Sequence, residues 1–458
     1  MTVLFSCHQT GCDVYYCIIV YIKKRGATKM KKYTEMSKEE LEQEFRDLTA
    51  KYEDEKGKGL KLNMARGLPS EEQLDMEADF FNTLNPQSNF FSEAGIDCRN
   101  YGELTGIHEA RELMADMMEV SPEEIIVFGN SSLNIMYDTV ARSMMFGVLG
   151  STPWNKLDKV KFLCPVPGYD RHFAITEQFG IEMINIPLND EGPDMDLVEE
   201  YVNNDPAVKG IWCVPKYSNP TGVTYSDETV RRFANLKPAA EDFRIYWDNA
   251  YTIHHLYNGK EDILLEILAE CKKAGNPNMV WKFCSTSKVT FPGSGIAALA
   301  SSEENLAYVK KLITIQTIGH DKLNQLRHVR YFKNIDGMHA HMKKHADIIR
   351  PKFELVLKRL DEELTPLEIG NWTNPNGGYF VSFNAPSGCA KRIVGLCKDA
   401  GVTMTGAGAT YPYKKDPEDS NIRIAPTFPP IDELAKALDI FTLCVKLATV
   451  EKMLGDLK

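Results

Sequence analysis

The sequence predicts an α/β protein: a mostly parallel sheet covered by helices on both faces, joined to a smaller α+β domain. Two observations support this fold class. Between residues 123 and 301, short apolar runs alternate with polar or Gly/Pro-bearing breaks and helical stretches. After residue 308, helical apolar spacing comes first and short strands follow. Ligands of parallel sheets bind at the carboxyl ends of the strands, so chemistry is expected in the polar residues after each run.

The elements can be justified in chain order. Ser37 and Glu40 have capping-box spacing, which predicts a helix through about Tyr52. Five apolar runs then predict strands: Ile125–Phe128, Val160–Cys164, Gly210–Val214, Phe243–Trp247 and Met279–Phe283. One long helix or two are expected from Tyr308 to about Leu364. The smaller domain is completed by a strand, a helix, a strand and a last helix: Gly377–Phe383, Cys389–Ala400, Ile422–Ala425 and a stretch from Ile431.

Composition excludes several classes of protein. The chain has 458 residues and a formal net charge of −11, which argues against non-specific nucleic-acid binding. With 43% hydrophobic and 26% charged residues it fits neither wholesale disorder nor a membrane-embedded protein. Its 11 cysteines are too few for a disulfide scaffold and form no zinc-type pair, so a cytoplasmic setting is expected.

The first 35 residues are expected to be a non-native or disordered extension. Their apolar run, Val14–Ile22, is too short to span a bilayer. It also makes a poor signal peptide, because the positive charges of Lys23, Lys24 and Arg25 follow it instead of preceding it.

The motif Ser285-Thr286-Ser287-Lys288 directly follows the last strand of the predicted sheet. A lysine at a strand end can be partly desolvated, which lowers its pKa and lets it form a Schiff base with a carbonyl. Alone, such a lysine is more often a solvated surface charge. Asp248 directly follows the preceding run, where a buried carboxylate is costly unless it meets a cation.

Two further motifs follow other strands. Asn219-Pro220-Thr221-Gly222 comes after the third run, where a plain turn is the alternative interpretation. Asn130, Ser131 and Ser132 open a helix after the first run. Hydroxyls and free N–H groups at a helix N-terminus suit a phosphate, with ordinary N-capping as the alternative.

Together these motifs, in this order from about Asn63 to the C-terminus, resemble the class I, fold-type I aminotransferases that depend on pyridoxal 5'-phosphate. The resemblance implies that cofactor and a large domain with a seven-stranded sheet. It also implies three units after the extension: an N-terminal arm with part of the small domain at 36–80, the large cofactor-binding domain at 81–330 and the C-terminal small domain at 331–458.

The resemblance implies a role for each motif residue. Lys288 carries the Schiff base, Asp248 pairs with the pyridine nitrogen and Tyr251 hydrogen-bonds the phenolic oxygen. Tyr169 stacks on the ring, and His172 supports Asp248. The remaining cofactor contacts are expected from Asn130, Ser131, Ser132, Asn219 and Ser285, with Ser287 nearby.

Substrate contacts follow from the same resemblance. Arg423 grips the substrate α-carboxylate, for which its forked guanidinium is suited. Gly67 brings backbone close to the substrate, and Asn219 also contacts it. Tyr101 reaches the phosphate of a neighbouring subunit, which implies a homodimer with shared active sites.

Two positions depart from the usual family pattern. Gly295 stands where an arginine normally neutralises the phosphate, and Lys322 of a partner chain is one candidate replacement. The distal-carboxylate arginine has no counterpart in Leu312–Thr317, which makes Arg66 the nearest candidate. These departures resemble a divergent aspartate aminotransferase subgroup whose lysine motif reads Ser-Thr-Ser-Lys.

The resulting expectation is a ping-pong transfer of an amino group from an L-amino acid, L-aspartate being favoured, to 2-oxoglutarate. A β-lyase or decarboxylase on the same fold is the first alternative, and a non-catalytic ligand-binding protein the second. No metal, nucleic acid or membrane partner is expected. The pair His254-His255, placed on a helix, and Cys284 are expected to be structural.

Overall fold

The computed structural model describes residues 31–457. Its α-helices are α1 (Lys38–Gly57), α2 (Glu71–Met76), α3 (His108–Met118), α4 (Ser132–Phe146), α5 (Asp170–Gln178), α6 (Met195–Asn204), α7 (Asp227–Ala234), α8 (Ile267–Lys273), α9 (Glu303–Gln316), α10 (Lys322–Phe332), α11 (Ile335–Glu363), α12 (Ala390–Asp399) and α13 (Ile431–Asp456). Its strands are β1 (Leu62–Asn63), β2 (Ile125–Val127), β3 (Lys161–Val166), β4 (Glu182–Asn189), β5 (Gly192–Pro193), β6 (Val208–Cys213), β7 (Arg244–Asp248), β8 (Val280–Ser285), β9 (Ala297–Ala300), β10 (Asn371–Trp372), β11 (Val381–Asn384), β12 (Val402–Thr403) and β13 (Asn421–Ile424). Short 3₁₀ helices lie at Tyr33–Glu35, Ala78–Asn82, Pro122–Glu124, Trp154–Lys156, Thr365–Leu367 and Pro412–Lys414.

The large sheet has the strand order β2-β9-β8-β7-β6-β3-β4-β5. From β8 to β4 all neighbours are parallel, whereas β9 runs antiparallel to both β8 and β2. The two-residue β5 only extends β4 as a short antiparallel ribbon. The seven longer strands confirm the predicted mostly parallel sheet.

All five apolar runs predicted as strands form strands of this sheet. Side chains of one strand alternate between two cores: Ile125 and Val127 pack on one face, Ile126 on the other. The sheet is therefore buried on both faces, which is why these strands read as continuous apolar runs. β4 and β9 were not predicted, because β4 alternates buried and exposed residues around a proline and β9 contains only Ala and Leu.

The smaller domain combines both ends of the described chain. Its sheet is the antiparallel β10-β11-β13, and β1 pairs in parallel with β12. Helix α1 begins at the predicted capping box of Ser37 and Glu40 and packs on α13. Its buried face carries Leu41, Leu48 and Tyr52, and the Tyr52 hydroxyl donates to the Leu396 carbonyl (3.0 Å).

The stretch expected as one helix or two contains three, α9, α10 and α11. The breaks have local causes. Asp321 caps α10 through the Asn324 amide, and Asn334 caps α11 through the Gly337 amide. Lys333 has a left-handed backbone (φ 68°), which ends α10.

Residues 1–30 lie outside the described part of the chain, so the expectation of an N-terminal extension there stays a prediction, as do the domain boundaries. Within residues 31–35, Tyr33 is 1% exposed and belongs to the small-domain core. No helix between residues 31 and 457 is both long and apolar enough to cross a bilayer.

Candidate active site

One cleft of about 650 Å³ lies at the carboxyl ends of the central strands. It brings together nearly every predicted site residue: Gly67, Asn130, Ser131, Ser132, Tyr169, Asn219, Asp248, Tyr251, Ser285, Ser287, Lys288 and Arg423. Of the predicted set, Tyr101 does not line this cleft and is 81% exposed elsewhere on the same chain. A neighbouring cleft of about 820 Å³, lined by residues such as Asn371 and Thr221, contains none of the twelve.

Lys288 follows β8 in a turn closed by hydrogen bonds from the Val289 and Thr290 amides to the Thr286 carbonyl. Its Nζ lies 5.1 Å from the ring centre of Tyr251. Burial lowers the pKa of the Lys288 ammonium, and the Asp248 carboxylate offsets only part of that shift. A larger neutral fraction makes this amine a better nucleophile than a surface lysine.

Asp248, at the end of β7, has two differently used oxygens. Oδ2 accepts a hydrogen bond from His172 Nε2 (2.9 Å), whose ring stacks on Trp212 at 4.4 Å. Oδ1 is buried and finds no hydrogen-bond partner among residues 31–457. A buried, half-satisfied carboxylate facing a cleft calls for a cationic donor, and a protonated pyridine nitrogen meets that need.

A phosphate fits the N-terminus of α4. The Ser131 side chain, at the N-cap, makes no capping hydrogen bond, so the first-turn amides remain free for a ligand. Ser285 Oγ donates to Ser287 Oγ (3.0 Å), which donates to the Asn130 carbonyl (3.2 Å). These hydroxyls surround the helix start with rotatable donors.

The glycine at 295 has a packing reason. A Cβ there would lie 2.9 Å from Thr286 Oγ1, which accepts from the Ile296 amide. No side chain therefore fits without moving the turn before Lys288. The alternative cation, Lys322, is buried and donates to the Asn100 (2.7 Å) and Gly102 (3.0 Å) carbonyls of its own chain.

Arg423, on β13, is held from several sides. Nη1 donates to Asn219 Oδ1 (3.2 Å) and Asp170 Oδ1 (3.0 Å), and Nη2 donates to Thr405 Oγ1 (3.2 Å). The guanidinium lies over the Phe380 ring at 4.8 Å. These contacts hold the Arg423 guanidinium in one orientation at the wall of the cleft.

Asp170 and Phe380 were not predicted as site residues. Asp170 directly follows Tyr169, a predicted site residue, and this adjacency in sequence is the one feature that could have indicated it. Phe380 explains Gly67, because a Cβ on Gly67 would stand 2.5 Å from the Phe380 ring. A larger residue would displace the ring that supports Arg423.

Two more guanidinium groups, Arg66 and Arg171, line the cleft. Within the described part of the chain neither takes part in an ion pair. Burial also raises the pKa of the nearby Tyr169 to about 12, so its ring stays neutral.

The two neighbouring histidines do not lie on a helix as expected. They follow the turn after β7, and His255 forms an isolated antiparallel bridge with Gly377. His254 Nε2 donates to the Lys288 carbonyl (3.3 Å), and His255 contacts the Tyr217 hydroxyl (2.7 Å). Both contacts are structural. Cys284 is a buried thiol within β8.

A large parallel sheet with this lysine, aspartate and arginine around one cleft defines a fold-type I enzyme of the pyridoxal-phosphate-dependent aminotransferase class. Comparison with known proteins agrees. The family model described as aspartate amino-transferase matches residues 36–457. The chain belongs to this aspartate aminotransferase family and uses pyridoxal 5'-phosphate.

Its relatives include an aspartate aminotransferase of Corynebacterium glutamicum, 46% identical over 406 residues, covering 88% of this chain and 93% of the relative. The crystal structure of an aspartate transaminase from C. glutamicum superposes with a TM-score of 0.89 at 44% identity, covering 91% of this chain and 98% of that one. The α-aminoadipate aminotransferase LysN of Thermus thermophilus, complexed with N-(5'-phosphopyridoxyl)-L-leucine, shares the fold at 21% identity (TM-score 0.67, 89% and 96% covered).

Proposed function

We propose that this aminotransferase moves the amino group of L-aspartate to 2-oxoglutarate in a ping-pong cycle, with Lys288 as the Schiff-base residue. The observation that carries the proposal is the meeting of Lys288, Asp248 and Arg423 in one cleft. The 46% identical C. glutamicum relative, named an aspartate aminotransferase, supports the choice of amino donor.

The cofactor supplies an electron sink for the bond that breaks at the substrate α-carbon. Asp248 Oδ1, which has no partner among the described residues, would hold the proton on the ring nitrogen, while His172 keeps the carboxylate in place. Lys288 carries the α-proton, because its lowered pKa leaves an amine able to accept it. Tyr251 and Asn219 would hydrogen-bond the phenolic oxygen, and Tyr169 would stack on the ring.

Substrate is oriented by its carboxylates. Arg423 binds the α-carboxylate through parallel hydrogen bonds, with Asn219 and the backbone at Gly67 beside it. A dicarboxylate needs a second cation. Arg66 and Arg171 line the same cleft and supply it, which favours aspartate over an apolar amino acid.

The phosphate would be held by Asn130, Ser131 and Ser132 with Ser285 and Ser287. Tyr101 completes the site from a second subunit, so the enzyme is a homodimer with shared sites. Two observations support this role of Tyr101. Its side chain is 81% exposed, and Lys322 fixes the loop that carries it by donating to the carbonyls of Asn100 and Gly102. The eight described cysteines are all free and buried, which supports a reducing, cytoplasmic setting.

The test is the visible absorption spectrum of the protein loaded with pyridoxal phosphate, before and after excess L-aspartate. We expect a Schiff-base band that disappears with aspartate and returns with 2-oxoglutarate. Lys288→Ala should lack the lysine-linked band, and the exposed Lys343→Ala should keep it.

A band that ignores aspartate would contradict the substrate assignment. Pyruvate or an amine formed from an amino acid without any oxo acid would favour a β-lyase or decarboxylase. The absence of a band in the wild type would leave only a ligand-binding protein.

A further inference from the structure

A buried cluster of one carboxylate and two imidazoles lies behind the catalytic lysine. Glu77 Oε1 is 2.8 Å from both His341 Nε2 and His345 Nε2, and the two nitrogens are 3.0 Å apart. The three side chains are at most 6% exposed. The proposed function uses none of them.

Hydrogen bonding determines where the protons sit. Gln73 Oε1 accepts from the Ser70 amide, so its Nε2 must be the donor to His345 Nδ1 (2.8 Å). His345 therefore carries its proton on Nε2. His341 Nε2 faces two acceptors, Glu77 Oε1 and the Val289 carbonyl (3.1 Å), so it is also protonated.

This proton arrangement argues against a metal ion, although the three groups have suitable ligand atoms. A zinc-bound imidazole must donate from its other nitrogen, yet Gln73 points a donor at His345 Nδ1. Tetrahedral zinc ligands also stand about 3.3 Å apart. The two 2.8 Å separations from Glu77 Oε1 are those of hydrogen bonds, and the 3.0 Å between the imidazole nitrogens is shorter than a shared zinc ion would set. Burial raises the pKa of Glu77, but the bonds from both imidazoles outweigh it and leave that pKa below its ordinary value.

The cluster reaches Lys288 by two routes. Through the backbone, His341 holds the carbonyl of Val289, the residue after Lys288. Through side chains, Gln73 Nε2 also donates to the Tyr379 hydroxyl (3.2 Å). The Tyr379 ring lies 5.9 Å from Lys288 Nζ and stacks on Tyr251 at 6.1 Å.

We propose that Gln73, Glu77, His341 and His345 are positioning residues, which fix the backbone at Val289 and the ring of Tyr379 and so orient the amine of Lys288. They tie the N-terminal segment and helix α11 to the turn after β8. The proposal rests on the assigned role of Lys288 in the proposed function.

Four variants test it: His345→Leu, Glu77→Leu, Glu77→Gln and, as control, His339→Leu on the exposed side of α11. The first two should lower kcat roughly tenfold to hundredfold with KM for aspartate nearly unchanged, because a small displacement of the amine affects the chemical step. Glu77→Gln keeps an oxygen acceptor for both imidazoles and should restore most of kcat. His339→Leu should behave as wild type.

Two readouts separate positioning from folding. The pH midpoint of the Schiff-base band and the rate at which cofactor-free protein forms that band should change in His345→Leu and Glu77→Leu and be restored in Glu77→Gln. Wild-type values of both in His345→Leu, even with a lowered Tm, would overturn the proposal. Stoichiometric zinc in purified wild type that is lost in Glu77→Gln would overturn it too.

These spectra also distinguish its failure from that of the proposed function. If wild type forms the band without using aspartate, the substrate assignment fails while the band's midpoint and formation rate still decide the positioning role. If Lys288→Ala retains the wild-type band, the assignment of Lys288 fails, and the positioning proposal fails with it.

Discussion

The ion pair between Asp170 and Arg423 predicts an unusual substitution, one that strengthens substrate binding. Asp170 Oδ1 accepts from Arg423 Nη1 at 3.0 Å, within the fork proposed to bind the substrate α-carboxylate. A substrate carboxylate competes with it for the guanidinium. Asp170→Asn removes the competing charge and leaves the other partners of Arg423, Asn219 and Thr405, in place.

The size of the effect follows from the geometry. A hydrogen bond between charged groups contributes about 1.5 to 3 kcal/mol when shielded from water. The Asp170 side chain is 33% exposed and that of Arg423 8%, so solvent screening reduces this to about 1 kcal/mol. Substrate should therefore bind roughly fivefold more tightly to Asp170→Asn.

The assay is the dissociation constant of L-aspartate from the half-reaction, followed by absorbance, with 2-oxoglutarate measured in the reverse direction. Asp347→Asn, at the Arg350 ion pair on α11, is the control, since it changes net charge equally on a side chain 67% exposed. An unchanged or larger dissociation constant in Asp170→Asn would refute the reasoning. Equal tightening in both variants would assign the effect to overall charge.

Three further predictions concern other parts of the site. His172→Phe leaves Asp248 without its partner, and we expect kcat to fall roughly tenfold or more, measured with the cofactor dissociation constant to detect a change in retention. Gly295→Ala crowds Thr286 and should lower the free energy of unfolding by about 1 to 3 kcal/mol in urea titrations of cofactor-free protein; unchanged stability would contradict the packing explanation. Burial lowers the pKa of His328 from 6.5 to about 4 in the folded protein. As the pH drops from 6.5 to 4, the unfolded chain therefore binds the proton first, and the free energy of unfolding falls by about 3 kcal/mol in total. His328→Gln should flatten this pH dependence in denaturant titrations at pH 7 and pH 4.5.

Much of the site could be predicted because short motifs follow buried strands. Lys288 and Asp248 each follow an apolar run, and parallel strands bring such ends to one edge of the sheet. Twelve of the residues predicted for the site line one cleft. Those that follow strands of the large sheet meet there for this reason, whereas Arg423 comes from β13 of the smaller sheet. Tyr101 lines a separate cleft and is 81% exposed, so its predicted contact with a cofactor stays a prediction.

The unpredicted parts depend on contacts between distant segments. Glu77 and His345 are 268 positions apart, and no local pattern signals that they meet. Asp170 is the first residue of α5, and an acidic residue is common at that position of a helix. Its ion pair with Arg423 of β13 is therefore visible only in the folded structure. The break between α10 and α11 was missed because only residues 333 and 334 separate the two helices, within a stretch of otherwise helical spacing.

The small domain, built from both ends of the described chain, sets an order for synthesis on the ribosome. Tyr52 of α1 bonds a carbonyl 344 positions later, and α1 rests on α13 near the end. At typical elongation rates, roughly 17 to 70 s pass between the emergence of these two residues. During that interval the apolar side of the nascent helix, with Leu41 and Leu48, has no native partner and is available to a chaperone.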